Sequence, residues 1–174
     1  HSFPALRSSD LVWMHCASLG EFEQGRPIIE KLKLQYPTHK LVLTFFSPSG
    51  YEIRKDYEAV DVVCYLPLDS PKKAKQFLNL VHPELAIFVK YEFWPNIISE
   101  LKKASINTIV ISAIFREQQI FFKSYGGWMR ESLNKFSMIF VQDENSVKRL
   151  KSIGVIRVEK SGDARFDRVV DILK

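Results

Sequence analysis

His15-Cys16-Ala17-Ser18-Leu19-Gly20-Glu21-Phe22-Glu23-Gln24-Gly25 follows the apolar run Leu11-Val12-Trp13-Met14 and leads into a segment with helical spacing that ends near Tyr36. The stretch reads as a strand, a tight turn and a helix start. In an open α/β sheet such a turn lies at the carboxyl end of a strand, where ligands bind. Ser18 suits a helix cap, and Gly20 suits a sharp turn because it tolerates positive φ. Glu21 then falls at the helix N-terminus, where the dipole favours its ionised form. The simple reading is a glutamate that complements the dipole. The functional one is a general base at the mouth of a cleft.

Outward from this turn, apolar β-rich runs alternate with amphipathic stretches. Strands are expected at Leu11–Cys16, Lys40–Phe45, Val60–Tyr65, Leu85–Val89, Asn107–Ala113, Met138–Gln142 and Val155–Glu159. Val60–Tyr65 is a continuous apolar run of the kind buried on both faces. Helices are expected at Glu21–Tyr36, with Pro27 as a kink or late start, at Tyr51–Tyr57, from Pro71 to Val81, and from Pro95 to Ala104. Arg116–Phe136 reads as mostly helical, divided by Gly126-Gly127. Asp143 caps a further helix, and a last one starts near Phe166. Ser70-Pro71 pairs a capping serine with a proline at the first helical position. This alternation implies a parallel sheet with helices on both faces.

The chain has 174 residues and 46% hydrophobic content, enough for one well-buried domain. Its net charge of +5 suits an anionic partner or membrane surface. The lysine clusters at Lys72, Lys73 and Lys75, at Lys102 and Lys103, and at Lys148, Arg149 and Lys151 each also fit a solvated helix face. Cys16 and Cys64, both in strand-like runs, suggest buried thiols in a reducing compartment. No run approaches the ~18 apolar residues of a membrane span. The abrupt ends suggest a fragment.

Several chemistries find no motif. No glycine precedes a lysine as in a P-loop, no Gly-x-Gly dinucleotide fingerprint exists, and no Gly-x-Ser-x-Gly elbow occurs. The histidines are scattered, and no Asp-x-Asp is present to hold a metal against a nucleotide diphosphate. What remains is a ring of loops at strand ends: Ser18-Leu19-Gly20-Glu21; Thr44 with Ser47-Pro48-Ser49-Gly50; Pro67-Leu68-Asp69-Ser70; Lys90-Tyr91-Glu92-Phe93-Trp94; Ser112 to Arg116; and Gln142-Asp143-Glu144. The edge carries Glu21 and Glu92 with hydroxyls, glycines and Arg116. Such groups suit sugar, phosphate or carboxylate oxygens. Each also has a structural reading: a lysine partner for Glu92, a turn for Ser47 and Ser49, a cap for Arg116, core packing for Phe93-Trp94.

Ala17-Ser18-Leu19-Gly20-Glu21, Thr44-Phe45-Phe46-Ser47-Pro48-Ser49-Gly50, Tyr65-Leu66-Pro67-Leu68-Asp69, Lys90-Tyr91-Glu92-Phe93-Trp94-Pro95-Asn96 and Gly162-Asp163-Ala164-Arg165-Phe166-Asp167 occur in this order. Together they resemble the amino-terminal half of the 3-deoxy-D-manno-octulosonic acid (Kdo) transferases of lipid A and lipopolysaccharide biosynthesis. The resemblance implies a Rossmann-like half of a B-type glycosyltransferase. Residues 1–162 would bind the acceptor, and 163–174 would begin the connection to a donor-binding carboxyl-terminal domain absent from this chain. It implies inverting transfer of Kdo from CMP-Kdo to the lipid A precursor, without metal or cofactor, at the cytoplasmic face of the inner membrane.

Partners implied are the lipid A precursor, an anionic membrane surface and the enzyme's own carboxyl-terminal domain, and no nucleic acid. Glu21 matches the family's proposed general base. Acceptor binding or support is expected from Ser18, Gly20, Ser47, Ser49, Gly50, Glu92, Arg116 and Arg165. The isolated piece is expected to be soluble, to fold, and not to transfer Kdo. Alternatives are half of another B-type glycosyltransferase, such as one acting on a peptidoglycan precursor, or a non-catalytic flavodoxin-like binding module.

Overall fold

The computed structural model describes residues 10–90, 93–161 and 166–173. Within them β1 (Leu11–Cys16), β2 (Lys40–Phe45), β3 (Val62–Tyr65), β4 (Leu85–Val89), β5 (Asn107–Ala113), β6 (Met138–Val141) and β7 (Val158–Lys160) alternate with helices. These are α1 (Leu19–Gln35), α2 (Pro48–Arg54), α3 (Pro71–Val81), α4 (Pro95–Lys103), α5 (Gly127–Leu133), α6 (Glu144–Ser152) and α7 (Phe166–Leu173). The strands form one sheet in the order β3-β2-β1-β4-β5-β6-β7, and every pairing is parallel. Strand order reverses between β1 and β4, which pair from Val12↔Leu85 to His15↔Phe88. That reversal opens a crevice beyond the carboxyl ends of these two strands.

Each face of the sheet carries its own core. Leu11, Trp13, Ala86, Phe88 and Val110 pack with residues of α3 to α6 on one face. Val12, Met14, Ile87, Val89 and Ile111 pack with residues of α1 and α7 on the other. The period of two in the strands explains this division: neighbouring residues point to opposite faces. Burying each large apolar side chain contributes about 1.5–3 kcal/mol. Phe22, Ile28, Ile29 and Leu32 are the buried stripe of α1, which runs through Pro27 because that residue lies on the exposed side.

Four local expectations need correction. β3 is an edge strand, and its residues are half-buried or exposed, so its apolar run does not mark a strand covered on both faces. Cys64, on that strand, is accordingly only half-buried, while Cys16 is fully enclosed. Arg116–Phe136 is largely irregular, with a short 3₁₀ turn at Ile120–Phe122 before α5. Phe121 anchors it by packing on Phe93 and Phe115, so aromatic burial rather than helix periodicity sets this segment. Gly20 lies within α1 and does not have positive φ. The sharp turn is made at Ala17-Ser18, before the glycine.

Candidate active site

The site is built from the loops that leave β1, β2, β4 and β5. Ser18 has extended backbone and starts α1, forming a capping box with Glu21. The Ser18 backbone N–H donates to Glu21 Oε2 at 3.1 Å, and the Ser18 hydroxyl donates to the same oxygen. The first is the capping-box bond of a helix start, and the second holds the carboxylate in place. The other oxygen, Oε1, faces Lys90 Nζ at 3.8 Å across the switch-point crevice. The Glu21 and Lys90 side chains keep 19% and 29% of their exposure, so a ligand can reach both. Partial burial pushes the Glu21 carboxyl up, but the Ser18 hydroxyl, the backbone amides and the Lys90 ammonium together outweigh it. The net position is below the ordinary glutamate value, which keeps Glu21 ionised at neutral pH.

Glycine shapes the floor of this edge. A Cβ on Gly25 would lie 2.5 Å from Met14 Sδ and 3.3 Å from Val89 Cγ2, so its bare backbone lets α1 lie directly over β1 and β4. A Cβ on Gly50 would lie 2.3 Å from Phe45 Cδ1 and 3.2 Å from the Leu19 backbone nitrogen. Gly50 is therefore a buried packing position that brings α2 against the start of α1. Ser47 begins α2, its hydroxyl lies 2.7 Å from that of Ser49, and both side chains remain near the surface. The Ser47 backbone N–H donates to Ala17 O at 2.9 Å, tying the β2 loop to the β1 loop.

Thr44, expected at the loop edge, is instead fully buried beneath it. Its hydroxyl accepts from Trp13 Nε1 at 2.8 Å. The hydroxyl proton can then go to His15 Nδ1, also 2.8 Å away, which selects the Nε2–H tautomer. Trp94 covers His15 edge-on and packs against Phe46. Asp69 accepts from the Asn96 and Ile97 backbone N–H groups at 3.0 and 2.9 Å, capping α4 from a different loop. Its carboxylate is thereby used to hold the Pro67-Leu68-Asp69 and Pro95-Asn96 segments together. Both thiols stay protonated at neutral pH: burial, with Glu21's charge added, pushes Cys16 far up, and burial alone moves Cys64 to about 11.

A cavity of about 270 Å³ adjoins the Glu21–Lys90 pair, lined by Lys90, Ser112, Ile114, Arg116 and Gln119. Lys90 and Ser112 both have left-handed backbone, with φ of 64° and 57°. Neither is glycine, and such geometry costs about 1–3 kcal/mol per residue and concentrates at functional sites. Ser112 lies where the β5–β6 register shifts, and Gln142 Nε2 donates to its carbonyl at 2.8 Å. Thus Ser18, Glu21 and Arg116 belong to one edge, with Ser47 and Ser49 beside it at the cap and first turn of α2, where the sequence suggests a loop. Glu92 and Arg165 lie outside the described residues. The sequence places Lys90 and Ser112 in the ring of loops but assigns neither a role in the site. The available signal was a lysine directly after the apolar run of β4, but its neighbour across the crevice follows only from strand order.

Fold and site together define a Rossmann-like α/β protein that presents a carboxylate and basic groups at its switch point. The family of 3-deoxy-D-manno-octulosonic-acid transferases (kdotransferases) matches residues 2–168, and the chain belongs to it. A 3-deoxy-D-manno-octulosonic acid transferase from Aquifex aeolicus is 32% identical over 157 residues, covering 89% of this chain and 40% of that protein. The Haemophilus influenzae enzyme of the same name is 28% identical, covering 90% and 38%. A bifunctional glycosyltransferase/methyltransferase from Fusobacterium nucleatum is 27% identical, covering 94% and 26%.

The chain therefore spans two-fifths or less of the length of these relatives. Among solved structures, a UDP-N-acetylglucosamine 2-epimerase from Rickettsia bellii superposes with a TM-score of 0.64 at 15% identity, covering 94% of this chain and 46% of that one. The likeness is one of fold, and it covers a little under half of that chain.

Proposed function

We propose that this chain is the acceptor-side half of an inverting Kdo transferase, with Glu21 as general base. The observation that carries the reading is the Glu21 carboxylate at the switch point. One of its oxygens is held by Ser18, and the other is open towards Lys90 and the adjoining cavity. In the reaction, Glu21 takes the proton of an acceptor sugar hydroxyl as that oxygen attacks the anomeric carbon of Kdo. The bond from that carbon to the CMP phosphate breaks, and CMP leaves with the electron pair. Attack opposite the leaving group inverts the centre. Ser18 fixes the carboxylate orientation, as a positioned base requires.

The donor, CMP-Kdo, belongs in this reading to a carboxyl-terminal half facing the crevice, and no metal or cofactor takes part. The acceptor is the lipid A precursor. Support for an anionic membrane partner comes from α3, which carries Lys72, Lys73 and Lys75 and no acidic residue. Leu68 and Leu80, 64% and 47% exposed, lie before and near the end of the same helix. Basic groups beside exposed apolar ones suit an anionic lipid surface. Among the described residues no helix is long and apolar enough to cross a membrane.

The test is Glu21→Gln in the two-domain enzyme. The reading predicts a fall in kcat of about 10²–10⁴ with little change in KM for the acceptor. A kcat within a few-fold of the parent would leave Glu21 as a helix-start residue only.

A further inference from the structure

We infer that Lys90, Ser112, Arg116 and Gln119 form an anion subsite, built for one phosphate or carboxylate group, that shares the Lys90 ammonium with Glu21. The cavity they line is about 270 Å³. That is below the roughly 300–1,000 Å³ of a site for a whole drug-sized ligand, so it holds one group of a larger substrate. Among the described lining residues two are cations and none is a carboxylate. Hydroxyl and amide donors on Ser112 and Gln119 complete a set suited to an oxyanion.

Arg116 is exposed, and among the described residues its guanidinium has no ion-pair partner. Its loop is nevertheless fixed. The Arg116 N–H donates to Gln119 Oε1 at 2.8 Å, and the Phe115 carbonyl accepts from Arg149 Nη1 at 2.9 Å. The Phe115 N–H donates to the buried Ser146 hydroxyl at 2.8 Å. An arginine with an available charge on an anchored loop is ready for a ligand without further ordering.

Lys90 couples this subsite to Glu21. Its Nζ lies 3.8 Å from Glu21 Oε1, and the same residue lines the cavity. An anion seated there competes with Glu21 for the ammonium and adds its own negative charge nearby. Both effects strengthen Glu21's hold on a proton. A group that the substrate itself brings therefore makes Glu21 a better base at the moment the substrate is bound. Linkage requires the reverse as well: removing the Glu21 charge tightens the anion. The functional consequence rests on the reading of Glu21 as base, whereas the subsite stands on binding alone.

The experiment measures binding of inorganic phosphate and of gluconate, a sugar-acid carboxylate, to the 174-residue chain, by calorimetry and by shifts of the Arg116 Nε–H resonance. Saturable binding is expected, weakened about 10- to 100-fold by Lys90→Met or Arg116→Gln and tightened about fivefold or more by Glu21→Gln. Tighter phosphate binding assigns the subsite to an acceptor phosphate, and tighter gluconate binding to the carboxylate of the donor sugar. No saturable binding of either anion, or equal binding by parent, Lys90→Met and Arg116→Gln chains of equal thermal stability, would overturn the proposal. These outcomes do not depend on turnover, so a failed subsite is distinguishable from a failed catalytic base.

Discussion

At the carboxyl edge of the sheet a carboxylate after β1 faces a lysine after β4; at the amino edge a carboxylate before β4 faces an imidazole before β2. Glu21 and Lys90 stay 3.8 Å apart beside a cavity. His39 Nε2 and Glu84 Oε1 close to 2.8 Å, with a potential ligand atom of Asp10 within 4.8 Å. The backbone around the amino-edge pair is also closed: Lys40 N–H donates to Asp10 O at 2.8 Å and Glu84 N–H to Leu11 O at 2.9 Å. Burial, with Asp10's charge added, moves the Glu84 carboxyl up despite the opposing pull of His39, whereas Glu21 moves down. Similar side chains thus serve as a staple where the loops are sealed. They stay partly open to solvent beside a cavity where strand order reverses and the loops part.

Loosening the carboxyl edge from beneath should have the largest effect on stability. Thr44→Val removes the partner of both Trp13 Nε1 and His15 Nδ1 in a fully buried site. Each polar group left unpaired costs about 1–3 kcal/mol, so the urea midpoint should fall well below that of the parent. An unchanged midpoint would show that the two rings find other partners. Gly50→Ala comes next, because its Cβ would meet the Phe45 ring and the Leu19 backbone. Overpacking of this kind costs about 1–3 kcal/mol, and chemical denaturation reads it directly.

The smallest effects contrast the two carboxylates. Glu21 lies below its ordinary value of 4.5, so its contribution to stability is complete above 4.5 and is lost as pH falls through the depressed folded value. Glu84 lies above 4.5, so its contribution is complete below 4.5 and is lost as pH rises through the raised folded value. Glu21→Gln should therefore flatten the acid arm of the stability profile. Glu84→Gln should flatten the loss on the rising side, each by less than about 1 kcal/mol. Thermal melts across acidic pH check both signs, and parallel profiles for the two variants would remove the contrast.

Much of this fold was legible in the chain because apolar runs of strand length alternate with capped amphipathic segments. β1, β2, β4 and β5 fall where the periodicity puts them. The segment after β5 is not legible as irregular because the ring packing of Phe121 on Phe93 is long-range and leaves no local signal. β3 was misread because an apolar run does not reveal whether its strand lies inside the sheet or at its edge. Glu21 and Ser18 were legible from the strand–turn–helix pattern alone. Thr44 was not, since a hydroxyl at a strand end does not disclose that two rings above and beside it need a partner. Lys90 was hidden for a different reason: Glu21 and Lys90 are neighbours only because β4 crosses back to lie beside β1.

The most direct test sets Glu21→Gln beside Glu84→Gln in the same two-domain enzyme and measures single-turnover transfer of Kdo to the lipid A precursor. The contrast between the edges predicts that Glu21→Gln loses about 10²–10⁴ in rate while its melting temperature stays near the parent's, and that Glu84→Gln keeps the parental rate. Equal rates for the two variants, or a larger loss in Glu84→Gln, would contradict the placing of the reaction at the carboxyl edge.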